Sequence, residues 1–74
     1  MVKNVRITNF ADVRRVVDFA SKLPDEVVVH DANGSIADAR SLLGMMSLSY
    51  TMPVKIVSEN QQAVNDIANL LVKV

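Results

Sequence analysis

Apolar residues recur along the chain with different spacings, and each spacing predicts a different element. Where they alternate with polar residues, as Val5 and Ile7 do, the pattern predicts a half-buried strand. The β-branched run Val27–Val29 is too short for a helix and also predicts a strand. Together these patterns predict four strands, near residues 2–7, 26–31, 35–38 and 52–56.

Elsewhere the apolar residues fall three and four positions apart, which is the spacing of one face of a helix. The first such helix is expected after Asn9, whose side chain can cap it, and before Pro24. A shorter helix is expected over residues 41–49, with Ser41 as its N-cap. The third is expected after Ser58, which stands three residues before a glutamine in the spacing of a capping box.

The order of these elements predicts the fold class. The pair Asn33-Gly34 predicts a hairpin between the second and third strands, through a two-residue type I′ turn with positive φ at both positions. The order is then β-α-β-β-α-β-α, which is typical of an α+β fold. We expect a four-stranded antiparallel sheet covered on one face by three helices.

Composition narrows the class of protein. The chain has 74 residues, half of them apolar, with eight basic and eight acidic side chains and no cysteine. These values predict one small folded domain over residues 1–74. A zero net charge argues against direct nucleic-acid binding, and no stretch has the about twenty apolar residues of a membrane span. His30, the one histidine, lacks the partner ligands of a metal site, so we expect no metal or other cofactor. Because no membrane span is predicted, we expect the domain to be cytoplasmic.

The predicted helix at residues 41–49 carries two candidate features. A serine at a helix N-terminus lies where backbone N–H groups favour a phosphate, although most such serines are plain caps. Five large apolar residues between positions 42 and 48 exceed what one stripe of a short helix can bury. The excess predicts an exposed apolar surface for a protein partner or for a second copy of the chain.

The first predicted helix begins with charged residues. Asp12 suits the positive start of a helix, and aspartates accept phosphoryl groups in some enzymes. Arg14 and Arg15 are candidates to bind an anion, but their spacing alone favours a solvated helix face.

The segment Ala39–Leu48 resembles the regulatory-serine segment of HPr, the small phosphocarrier of the bacterial sugar phosphotransferase system. The Asn33-Gly34 hairpin stands at that family's distance before the serine, and the element order matches the open-faced HPr β-sandwich over nearly the whole chain. The resemblance implies that Ser41 matches the serine phosphorylated by HPr kinase/phosphorylase. It also implies apolar partner contacts at Leu42, Leu43 and Met46.

The resemblance breaks at the first helix. HPr carries a Gly-x-His-x-Arg-Pro-type motif there, and its histidine passes phosphate from enzyme I to sugar permeases. In this chain Asp12 stands at the histidine position, Arg14 at the arginine position, and Arg15 in place of the proline. Because a carboxylate repels incoming phosphate, the histidine route cannot operate.

The combined prediction is a non-enzymatic HPr-like domain that binds proteins and is phosphorylated on Ser41. The partners implied by the resemblance are HPr kinase/phosphorylase and a catabolite-control transcription regulator or other phosphotransferase components. Two alternatives remain. One is a divergent phosphocarrier with Asp12 as phosphoryl acceptor, and the other is a structural domain that forms a homodimer through its apolar helix.

Overall fold

The computed structural model describes residues 1–71, so the last three residues of the expected domain lie outside it. The elements follow the predicted order β-α-β-β-α-β-α. The strands are β1 (Val2–Val5), β2 (Val28–His30), β3 (Ile36–Asp38) and β4 (Val54–Val57). The helices are α1 (Phe10–Ala20), α2 (Leu42–Met46) and α3 (Gln61–Leu70). The predicted α+β fold is confirmed.

The four strands form one antiparallel sheet in the order β1-β4-β2-β3. The last strand in the sequence, β4, therefore lies inside the sheet and pairs with β1 on one side and β2 on the other. Pro53 directly precedes β4, and the start of a strand is a position that a proline tolerates because it has no N–H to donate.

The three helices and the core lie on one face of the sheet. Alternate strand residues turn their side chains to this face because side chains of a strand alternate in direction. Ile56 of β4 and Val29 of β2 are fully buried there, together with Met45 of α2 and Ile67 of α3. Within residues 1–71, no helix or strand covers the opposite face of the sheet.

The β2–β3 hairpin differs from the predicted two-residue turn. Gly34 has a φ of 89°, but no non-glycine residue in the described chain has a positive φ, so a type I′ turn is excluded. The Gly34 N–H donates to the Asp31 carbonyl, and the Asp31 N–H donates to the Ser35 carbonyl. This pattern closes a three-residue loop in which only the glycine adopts the left-handed conformation.

The ends of the helices also differ from the prediction. Asn60, not Ser58, caps α3, and its side chain accepts the N–H of Ala63. The Ser58 hydroxyl instead donates to the Glu26 carbonyl at 2.8 Å and connects two loops that are distant in sequence. Helix α2 is shorter than expected and ends at Met46.

Neither a membrane-spanning helix nor a cluster of metal ligands occurs in residues 1–71. The longest helix of this range, α1, has 11 residues, and none is long and apolar enough to cross a membrane. No three side chains of histidine, cysteine, aspartate or glutamate come together there as metal ligands would.

Candidate functional site

Ser41 caps α2, as the sequence predicts. Its backbone is extended, and its hydroxyl oxygen accepts the N–H of Gly44 at 3.1 Å. The Ser41 carbonyl accepts the N–H of Met45 and so begins the helical hydrogen-bond pattern. The residue as a whole is exposed, so the same oxygen that caps the helix is also open to solvent.

Gly44 is the residue that allows this close approach. A Cβ at this position would lie 3.1 Å from the Ser41 hydroxyl oxygen and 3.5 Å from the Cβ of Ala37. A glycine inside a helix costs about 1 kcal/mol relative to alanine. Gly44 offsets part of this cost by making room for the capping hydroxyl.

The apolar residues of α2 are divided between the core and the surface. Met45 is fully buried, and Leu42 is half-buried and packs against the core. Leu43 is 81% exposed and Met46 is 52% exposed. We refer to Leu42, Leu43 and Met46 as the α2 patch. The predicted excess of apolar surface is thus real, and Leu43 contributes the most exposed side chain.

A groove of about 570 Å³ runs from the α2 patch to the start of α1. Phe10 at the start of α1 and Met46 of α2 line it, together with Tyr50 and Thr51 from the segment after α2 and Arg6 from the segment after β1. Phe10 is 52% exposed, although it is a large apolar residue of a core-packed helix. Arg6 and Tyr50 carried no signal in the sequence, because only the fold brings them to the groove.

Asp12 is buried at the start of α1 with an exposure of 0%. Its carboxylate accepts the backbone N–H and the hydroxyl of Thr8, both at 3.2 Å, and the Arg15 guanidinium at 3.0 Å. The backbone N–H of Asp12 in turn donates to the side chain of Asn9, the helix cap. The negative charge at this helix start is therefore supplied and neutralised by the chain itself.

The two candidate arginines have different surroundings. Arg15 pairs with the buried Asp12, and its own side chain remains 55% exposed. Arg14 lies 4.0 Å from Asp18 on the solvent side of α1. An exposed pair at this distance contributes little to stability, which agrees with the expectation of a solvated helix face.

The segment after α2 is tied to the β2–β3 hairpin by Asp31. This carboxylate accepts backbone N–H groups of Ser49, Ser35 and Asn33, each at 2.9 Å. The hydrogen bond from Ser49 is the largest cause that holds the pKa of Asp31 below its ordinary value, with the hairpin N–H groups adding to it. Burial, and then the charge of Asp31, raise the pKa of Tyr50, whose hydroxyl donates to the Met45 carbonyl.

Comparison with known proteins places the fold. No family model matches the sequence, and no curated protein matches it. Among solved structures the chain is similar to the crystal structure of HPr-C-His from Thermoanaerobacter tengcongensis, with a TM-score of 0.76 and 22% sequence identity. The match covers 96% of this chain and 88% of that chain. The chain therefore has the HPr-like fold, and the resemblance predicted from its sequence is confirmed at that level.

Proposed function

We propose that this chain is a regulatory, protein-binding domain related to the phosphotransferase system, and that it acts without the histidine phosphocarrier step. The observation that carries the proposal is the exposed hydroxyl of Ser41, located beside an exposed apolar surface. In this proposal HPr kinase/phosphorylase modifies Ser41, and a catabolite-control regulator or another phosphotransferase component recognises the product. The domain is cytoplasmic and comprises residues 1–74.

The chemistry of position 41 supports phosphorylation. A phosphoryl group adds nearly two negative charges, which the positive end of a helix tolerates. The capping oxygen is the atom that would carry the group, so the charge would lie next to the N–H of Gly44. The phosphate and the α2 patch together would form a surface that is anionic at one end and apolar at the other. A partner with basic and apolar side chains fits such a surface.

The geometry of Asp12 argues against the alternative phosphocarrier. An acyl phosphate forms only when a carboxylate oxygen reaches the phosphorus of the donor. The Asp12 side chain is fully buried and accepts hydrogen bonds from Thr8 and Arg15. Transfer to it would require these bonds to break and the start of α1 to open.

The homodimer alternative places a second copy on the α2 patch. Leu43 would then be buried between subunits, and Ser41 would remain a simple cap. This alternative and the proposal make opposite predictions for Ser41, because only the proposal requires a chemical change there.

The test is incubation of the purified chain with HPr kinase/phosphorylase and ATP, followed by mass spectrometry of peptides. We expect one phosphoryl group per chain, located on Ser41 and absent from the Ser41→Ala variant. Ser47→Ala is the matched control, since Ser47 lies at the other end of the same helix and its hydroxyl donates to the Gly44 carbonyl. Absence of phosphate on Ser41, or equal labelling of the Ser41→Ala variant, would contradict the proposal.

A further inference from the structure

The uncovered face of the sheet carries a row of valines. Val2 pairs with Val57, and Val57 also pairs with Val28, so the three side chains lie next to each other across β1, β4 and β2. They alternate with buried Ile56 and Val29, which places them on the face away from the helices. Val28 and Val57 are half-buried, and Val2 is 60% exposed. We refer to these three residues as the valine row.

Charged side chains lie on both sides of the valine row, with opposite signs. Glu26 precedes Val28 by two residues, and Glu59 follows Val57 by two. The two glutamates line a groove of about 340 Å³, which Val28 and Val57 also line. We refer to Glu26 and Glu59 as the acidic row. On the other side His30 and Lys55 pair directly across β2 and β4, and we refer to them as the basic row.

None of these side chains forms an ion pair within residues 1–71, and the N-terminal ammonium of Met1, which also lines the acidic groove, donates to the Ser58 carbonyl. Among residues 1–71, no lysine or arginine lies within ion-pair distance of the acidic row, and no carboxylate lies within that distance of Lys55. Arg40 interacts electrostatically with Glu26, but its guanidinium donates two hydrogen bonds to Asp38. The face is therefore apolar across β1, β4 and β2 and ends at the Asp38–Arg40 pair beside β3. The carboxylates of Glu26 and Glu59 lie on one side of the valine row, and the ammonium of Lys55 lies on the other.

We propose that this face binds a second copy of the same chain, face to face, about a two-fold axis that runs along the valine row. That axis places each valine against its own counterpart and reverses the direction along the strands. Lys55 then faces the partner subunit's Glu59, and His30 faces the partner subunit's Glu26. Asp38, the neighbour of Val28 on β3, also comes opposite its own counterpart, but Arg40 of the same chain already binds it. The surface is thus self-complementary through the Lys55–Glu59 contacts on either side of an apolar centre, as an interface between two identical subunits requires.

The packing of two sheets is an ordinary arrangement for such faces. Sheets that pack face to face lie about 10 Å apart with apolar side chains between them. Four strands spaced about 4.8 Å apart give a face roughly 19 Å wide. A face of this width buries less surface area than the interface of a permanent dimer, so we expect the dimer to be weak. It leaves the α2 patch and Ser41 uncovered, and it does not depend on the proposed function.

The test is sedimentation equilibrium of the wild-type chain up to about 1 mM, the dissociation constant of a weak contact. We expect a reversible dimer. Lys55→Glu and Glu59→Lys should each weaken it about tenfold or more, because the two-fold axis introduces every like-charge contact twice. The double variant Lys55→Glu/Glu59→Lys should recover the wild-type dissociation constant, since it restores opposite charges with their positions exchanged.

Two control variants separate this face from the rest of the surface. Asp66→Lys makes the same charge change as Glu59→Lys but lies on α3, and Leu43→Glu changes the α2 patch. Both should leave the dissociation constant unchanged. A chain that is monomeric throughout the concentration range would overturn the proposal. So would a dimer that Leu43→Glu breaks, or one that the single charge reversals leave intact.

Discussion

The first turns of α1 and α2 share one capping geometry and differ in the residue that the cap binds. In each helix a polar side chain, Asn9 or Ser41, accepts the N–H of the residue three positions later. In α1 that later residue is Asp12, whose side chain is fully buried. In α2 it is Gly44, which has no side chain. The same cap is therefore closed by a buried carboxylate in one helix and open to solvent in the other.

The two helix starts also differ in whether the chain itself places a negative charge there. The positive end of a helix favours an anion. At α1 the anion is Asp12, which Arg15 already pairs with at 3.0 Å. At α2 the first turn contains no acidic residue, so a negative charge would have to be added from outside. Phosphorylation of Ser41 would make the second helix start resemble the first.

The largest effect on stability is expected at the closed turn. Asp12→Ala removes a buried acceptor and leaves the Thr8 N–H and hydroxyl without this partner. We expect the free energy of unfolding to fall by about 2–3 kcal/mol, since hydrogen bonds to a buried charged group are among the more valuable ones. Urea denaturation monitored by circular dichroism measures the change.

The control for this prediction lies on the same helix. Asp18→Ala removes an exposed carboxylate that is 4.0 Å from Arg14, and we expect a change within about 0.5 kcal/mol. If the two variants lost the same free energy of unfolding, burial of Asp12 would not be what distinguishes the closed turn.

A smaller effect is expected at the open turn. Ser41→Ala removes the cap of α2 and should lower the free energy of unfolding by about 1 kcal/mol. Because Ser41 is exposed, water can replace the lost acceptor, which keeps this loss below that of Asp12→Ala. Ser47→Ala, at the other end of α2, serves as the comparison and should cost less, since it removes no cap of the helix N-terminus. An equal or larger loss for Ser47→Ala would show that the cap is not the main contribution of Ser41.

The sequence predicted those features of the two turns that depend on neighbouring residues. Both caps, Asn9 and Ser41, were predicted correctly because a capping side chain bonds to a residue only three positions away. The order of strands and helices followed from spacing for the same reason. The burial of Asp12 was not predicted, since it depends on how the segment before α1 folds over the helix and brings Thr8 to the carboxylate.

The sheet was predicted, but side-chain hydrogen bonds between distant parts of the chain were not. Ser58 has the spacing of a helix cap, yet its hydroxyl bonds to Glu26, 32 residues away. Similarly, nothing in the hairpin sequence indicates that Asp31 accepts the N–H of Ser49, 18 residues later. The position of the groove residue Tyr50 also depends on this bond, because Ser49 is its neighbour in the chain. Local patterns carry no information about such pairs.

Asp31 differs from both helix starts, because its carboxylate holds the segment after α2 from a distant position in the sequence. Its pKa is lowered by the Ser49, Ser35 and Asn33 N–H groups, so its charged form stabilises the fold. This contribution is fully present above its ordinary pKa of about 4 and is lost as the pH falls through the lower pKa of the folded state. Unfolding in urea at several pH values, for the wild type and Asp31→Asn, measures it.

We expect the difference in free energy of unfolding between the wild type and Asp31→Asn to be constant near neutral pH and to shrink below about pH 4. Asp38, whose pKa is lowered chiefly by Arg40, titrates equally in both proteins and cancels from the difference. This pH-dependent change in the free energy of unfolding should be smaller than the losses for Asp12→Ala and Ser41→Ala. A protonated carboxyl keeps an acceptor oxygen and only weakens the hydrogen bonds that it accepts. If the difference stayed constant down to acid pH, the charge of Asp31 would not be what holds this segment. Hydrogen bonds to the uncharged side chain would then be enough to hold it.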